Sequence, residues 1–165
     1  MSDQPRRVSG NDADPGVVIR FADREDWIGV MSVLDGALLD VDAKEVRELI
    51  GANAVLVAQA SGSERVRGAL VLAEAGTNHR GNEPETDSDT ETEPEIEIDA
   101  IAVRRRYRDR EIGSALIDRA RRETDRVLVA EFDERVRPFY AALGFRIAPI
   151  ADGRFRGRDT SASRE

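Results

Sequence analysis

The apolar pattern of this chain changes period several times, and each change marks an element. Val17 to Phe21 is a short block that reads as a strand. Beyond it Trp27, Val30, Met31, Leu34 and Leu38 recur at helical spacing, so they share one face of a helix. Asp23 is placed to cap that helix, with Asp26 in its first turn. Asp42 to Ile50 predicts a second helix, closed by Gly51. Ala54 to Ala60 and Arg65 to Ala73 read as paired strands around Ser61-Gly62-Ser63. Ile96 to Val103 is a further strand, Ile112 to Thr124 a helix with Ile112, Ala115, Leu116, Ala120 and the stem of Arg119 inward, and Val127 to Phe132 a buried strand. Glu134 to Leu143 predicts a short helix stopped at Gly144, and Phe145 to Ile150 with Arg154 to Arg156 flank the hairpin signal Ala151-Asp152-Gly153.

Three stretches lack such a pattern. Residues 1–16 are polar and charged, the composition of a disordered leader before a single domain spanning 17–157. Between Gly76 and Glu95 apolar residues disappear, and from Glu83 to Glu97 every second residue is acidic, which predicts a solvated insertion. Its charge suggests a second role, folding over a neighbouring basic site and competing with an anionic ligand. The tail from Gly157, with 158–165 beyond the domain, is expected to fray.

Composition narrows the function. The 165 residues suit one domain with a core and a cleft. No apolar run is long enough to span a bilayer or serve as a signal peptide, so a cytoplasmic, membrane-free protein is expected. With no cysteine, disulfides, thiolate metal sites and a cysteine nucleophile are excluded. The single histidine, His79, sits in a polar loop, and no metal site is expected. A net charge of -8 argues against a general nucleic-acid binder. Of 25 basic residues only Lys44 is lysine, and an acidic surface poor in lysine also suits a salt-rich, halophilic cytoplasm.

Two segments carry chemistry. The first is the strand Ile98-Asp99-Ala100-Ile101-Ala102-Val103, then five arginines from Arg104 to Arg110, then Ile112-Gly113-Ser114. A strand that feeds a basic turn opening onto a helix aims backbone N–H groups and a positive dipole end at one point, an anion site. The second is Arg137-Pro138-Phe139-Tyr140-Ala141-Ala142-Leu143-Gly144-Phe145. Together, over roughly Val17 to Ile150, they resemble the GNAT superfamily of acyl-CoA N-acyltransferases.

The resemblance implies an α/β (α+β) fold with a mixed central sheet of six to seven strands flanked by four helices. It implies an N-acetyltransferase that moves an acetyl group from acetyl-CoA to a primary amine by direct attack in a ternary complex. The pyrophosphate motif falls on Arg108-Asp109-Arg110-Glu111-Ile112-Gly113, with Ser114 next; Glu111 stands where the family has glycine. Backbone of Ile101, Ala102 and Val103 is expected along the pantetheine, with Asp133 and Phe139 as further coenzyme contacts. Glu97 and Asp99, two apart on one strand, are the candidate bases, with Asp99 expected to be the more buried. Tyr140 aligns with the tyrosine that protonates the leaving thiolate.

The acceptor, a small molecule or a protein amine, and the assembly, monomer or homodimer, stay open. Glu111 and Asp133 also allow a degenerate acyl-CoA-binding or interaction module. A weaker reading is an RNA contact through the arginine turn and Arg119, Arg121, Arg122 and Arg126, which global charge and the lack of stacking aromatics oppose.

Overall fold

The apolar blocks become seven strands of one mixed sheet, with two helices on each face. In the computed structural model, residues 16–37, 41–63, 65–74, 94–107 and 111–160 are described. The order is β1 (Val17–Phe21), α1 (Trp27–Gly36), α2 (Ala43–Gly51), β2 (Val55–Ala60), β3 (Val66–Glu74), β4 (Glu95–Val103), α3 (Ile112–Glu123), β5 (Val127–Asp133), α4 (Arg137–Ala142), β6 (Phe145–Ala151) and β7 (Arg154–Asp159). The sheet runs β1-β2-β3-β4-β5-β7-β6, antiparallel except for the β4–β5 pair. The leader before residue 16, residues 75–93 with most of the acidic run, and residues 161–165 lie outside the described residues.

Two cores follow from the two faces. α1 and α2 bury Val30, Val33, Leu34, Val46 and Ile50 against Val55, Val57, Ala69 and Val71. On the other face α3 and α4 bury Ile112, Leu116, Ile117 and Tyr140 against Leu56, Leu70, Ile98, Leu128 and Phe132. Each fully buried aliphatic contributes about 1.5–3 kcal/mol from area removed from water. Gly68 lets α3 approach: a Cβ there would lie 3.1 Å from Ile112 and 3.2 Å from the Ala102 carbonyl.

Local expectations hold in part. Asp23 caps the turn that leads into α1, as expected, and Asp26 completes a capping box with it. Asp26 accepts from the Asp23 N–H at 2.7 Å and from Arg20 at 2.8 and 3.0 Å. The Arg20 hydrogen bonds, chiefly, hold its carboxyl below the usual range. In α1 Val33 is buried and Met31 only partly so, while Leu38 lies outside the described residues. Asp42 caps α2, accepting from the N–H groups of Lys44 and Glu45. Gly51 belongs to that helix, and the left-handed residue beyond it is Asn53, at φ 61°.

In α3 the inward stripe is Ile112, Gly113, Leu116, Ile117 and Ala120, with Ala115 half-exposed. The stripe turns because Phe139 of α4 covers the helix on a second side at Gly113. The acidic run ends inside the fold: Glu95 opens β4 and pairs with Arg156 and Arg158.

The expected frayed tail is not seen through Asp159. β7 continues that far, inserted between β5 and β6. Asp159 is 2% exposed and takes two hydrogen bonds from Arg121, at 2.9 and 3.3 Å; Arg121 also donates to the Leu143 carbonyl. A buried bidentate ion pair keeps this strand end from fraying.

Candidate active site

The sheet opens between its two parallel neighbours. β4 and β5 pair only from Glu95 to Glu97 against Val127 to Val129. Beyond that level β4 stays with β3, and β5 keeps only β7, on its other edge, through Val129–Asp133. The helices after both strands, α3 and α4, therefore start at the wide end of the gap. Ligands of open α/β sheets bind at such carboxyl ends, where strand order switches.

A bulge at Asp99 shapes the β4 side. Ala100 pairs with Val71 and Ile98 with Leu72, so Asp99 is the extra residue. Before it Ile98 faces the α3 core; after it Ala100 and Ala102 face the α1 core, while Ile101 and Val103 face α3. Such an insertion bends the strand and increases its twist. The Arg104 N–H donates to the Arg67 carbonyl at 2.8 Å, which makes that pair hydrogen-bonded in the ladder. By the alternation of antiparallel pairs, the peptide groups of Ile101 and Val103 are directed away from β3, toward the gap, and those of Ala102, placed with them in the sequence reading, bond to β3.

The turn at the mouth departs from its sequence reading. Arg104 is structural: its Nε donates to the Val66 carbonyl at 2.8 Å and its guanidinium reaches Ser32 Oγ at 3.3 Å. Arg105 and Arg106 are exposed. Arg108, Asp109 and Arg110, expected at the pyrophosphate, lie outside the described residues. Tyr107 was not singled out in the sequence; Arg67 lies over its ring at 4.1 Å. Only pairing across β3 brings that arginine there, so no local pattern could show it.

Glu111 stands at φ 61°, ψ 22°, the left-handed conformation, immediately before α3. Glycine suits this position because the backbone turns through positive φ here. The glutamate side chain is exposed, and among the described residues no arginine pairs with it. The first α-helical bond runs from the Ala115 N–H to the Glu111 carbonyl at 3.1 Å. The N–H groups of Ile112, Gly113 and Ser114 ahead of it have no intrahelical acceptor and form the positive end of the dipole. Gly113 is small for a reason the motif does not state: a Cβ would lie 3.1 Å from the Phe139 ring and 4.0 Å from Val103. That contact joins the mouth of α3, the end of β4 and α4.

Glu97 and Tyr140 lie on opposite faces of the sheet. Glu97 is level with Val129 at the narrow end of the gap, half-buried, on the face that carries α1. Asp99 is not the buried carboxylate expected; it is exposed at the bulge, so the desolvation that made it the stronger base is absent. Tyr140 is 3% exposed, stacked on Phe132 at 4.4 Å and edge-on to Phe139 and Phe145 at 5.0 and 5.1 Å. Burial pushes its phenol well above the ordinary tyrosine range, so it stays protonated. Asp133 ends β5, where its carboxylate accepts from the Arg135 N–H at 3.0 Å and caps the turn into α4. That capping bond accounts for an acid at this position.

A parallel pair that splays toward a helix N-terminus defines the acyltransferase class of mixed α/β folds. The solved structures agree. Arabidopsis thaliana NAA60 in complex with acetyl-CoA superposes at TM-score 0.65 with 15% identity, over 86% of this chain and 97% of that one. PaiA N-acetyltransferase from Thermoplasma acidophilum, in complex with coenzyme A, does so at 0.63 and 14%, over 87% and 98%. Ard1 from Thermoplasma volcanium reaches 0.62 and 20%, over 87% and 95%. Among curated proteins no significant sequence match is found. The acetyltransferase (GNAT) domain profile matches residues 52–147, and the chain belongs to that family.

Proposed function

We propose that this protein is an N-acetyltransferase that uses acetyl-CoA and transfers the acetyl group directly to a primary amine. The observation that carries the reading is the gap between β4 and β5, with Glu97 on one face and Tyr140 on the other. The residues suit acetyl-CoA. The N–H groups of Ile112, Gly113 and Ser114 would hold its pyrophosphate, and the peptide edge of Ile101 and Val103 its pantetheine. When bound, it supplies an activated thioester. NAA60 and PaiA, structurally similar, have been solved with acetyl-CoA and coenzyme A, and NAA60 also with a bisubstrate analogue.

The two faces divide the proton transfers. An amine entering from the α1 face loses its proton to Glu97, directly or through a water, as the new C–N bond forms. The C–S bond breaks toward the other face, where Tyr140 Oη gives its proton to the departing sulfur. No cysteine is present to carry an acyl group, which agrees with direct attack.

Calorimetric titration with acetyl-CoA, followed by acetyl-transfer assays over a panel of primary amines, tests this. Tyr140→Phe is expected to lower kcat by about 10²–10⁴-fold with acetyl-CoA binding kept, and Glu97→Gln to do the same. Because burial raises the Tyr140 phenol, wild-type kcat should not fall between about pH 9 and pH 11, where an ordinary tyrosine ionises. Loss in that window, or full activity in Tyr140→Phe, would remove the tyrosine from the mechanism. Micromolar binding without transfer to any amine would favour the degenerate module that an unpaired Glu111 at the anion site suggests.

A further inference from the structure

Among the described residues, Arg154 on the face that carries Glu97 is half-buried with neither a counter-charge nor a hydrogen-bond acceptor for its guanidinium, and its position speaks to the acceptor. β7 presents Arg154, Arg156 and Arg158 to this face, because Phe155 and Gly157 between them turn to the aromatic core. Arg156 is matched by Glu131 at 3.0 Å and Glu95 at 3.3 Å, and Arg158 also binds Glu95. Arg154 is half-buried and directly opposite Asp133 in the ladder. Asp133 nevertheless directs its carboxylate to the Arg135 N–H, and among the described residues no carboxylate pairs with Arg154. A guanidinium that has lost part of its water without gaining a partner is unfavourable, and its planar fork of donors fits a carboxylate.

Position gives the second argument. Val129, level with Glu97, and Asp133, level with Arg154, lie four residues apart on β5 and face the same way. That separation is about 13 Å along the strand. The narrow end of the face thus carries the carboxylate that would take a proton from an amine, and the wide end an unmatched cation.

We infer that Arg154 selects the acceptor by binding a carboxylate that the amine substrate carries several bonds from its amino group. The inference rests on the acetyltransferase reading. Two matched probe pairs test it: the C-terminally amidated tripeptides Ala-Ala-Glu and Ala-Ala-Gln, and 6-aminohexanoate against its amide. In the wild type, kcat/KM should favour the acidic member by about 10-fold or more, as a charge-assisted hydrogen bond would give. Whichever pair shows the larger ratio tells a peptide source from a small amine.

Arg154→Met should bring the ratio to about one, and Arg154→Lys should restore part of it. Equal rates in the wild type, or a ratio unchanged in Arg154→Met, would overturn the inference. If acetyl-CoA binds but no amine is turned over, NMR titration of the same pairs decides. Acid-selective binding lost in Arg154→Met supports the inference, and unselective or absent binding overturns it. Failure of acetyl-CoA itself to bind would count against the functional reading and is seen separately by calorimetry.

Discussion

A single backbone angle at Glu111 explains why the family motif asks for glycine there. The residue turns the chain through φ 61° into α3, a conformation that costs a non-glycine residue about 1 kcal/mol. The side chain also leaves a negative charge beside N–H groups meant for phosphate. Glu111→Gly is therefore expected to raise stability by up to about 1 kcal/mol, less the extra freedom glycine has when unfolded. It should also tighten acetyl-CoA binding. Urea unfolding and calorimetry check the two effects, and weaker binding in the variant would show that the glutamate is used. The sequence showed the substitution; only the structure showed the left-handed turn behind it. Asp99 teaches the converse. Alternation placed it beside Glu97 in a buried strand, and a bulge exposed it.

At the scale of elements, the C-terminal strand carries more of the fold than its composition suggests. Residues 157–159 are two charged residues after a glycine, and read alone they look like a tail. They form the end of β7, because Asp159 meets Arg121 of α3, whose guanidinium also holds the Leu143 carbonyl. Removing one partner of a buried pair leaves the other charge unmatched and costs about 3–5 kcal/mol. Arg121→Met and Asp159→Asn should each lose stability on that order in urea unfolding. The double variant should lose less than the sum of the two, since the pair is one interaction. A loss under about 1 kcal/mol in both would mean that β7 is held by its ladder alone.

For the whole molecule, charge is the property that reaches furthest. With a net charge of -8 and Lys44 as the only lysine, self-repulsion should fall as salt screens it. We propose that Tm rises as KCl is raised toward molar concentration. A flat or falling Tm would instead mean that the ion pairs of Glu95, Asp26 and Asp159 outweigh the repulsion. Thermal scans across a KCl series decide between them.

The sequence by itself determined the order and kind of the elements, the mixed α/β plan and the family, because apolar period, caps, turn residues and motif spacing are local signals. It also marked Glu97, Gly113 and Tyr140, whose types sit at motif spacing. The tertiary structure alone decided what those residues face. The gap opens where β4 stays with β3 past Glu97 while β5 keeps only β7 on its other edge, a strand paired across about 25 residues of intervening chain that local pattern left half-read. Other long-range contacts bury Tyr140 among three phenylalanines and turn Arg104 into a strut, and among the described residues Arg154 is left without a paired carboxylate. Such contacts join residues far apart in the chain, and their energies exist only once the sheet has closed.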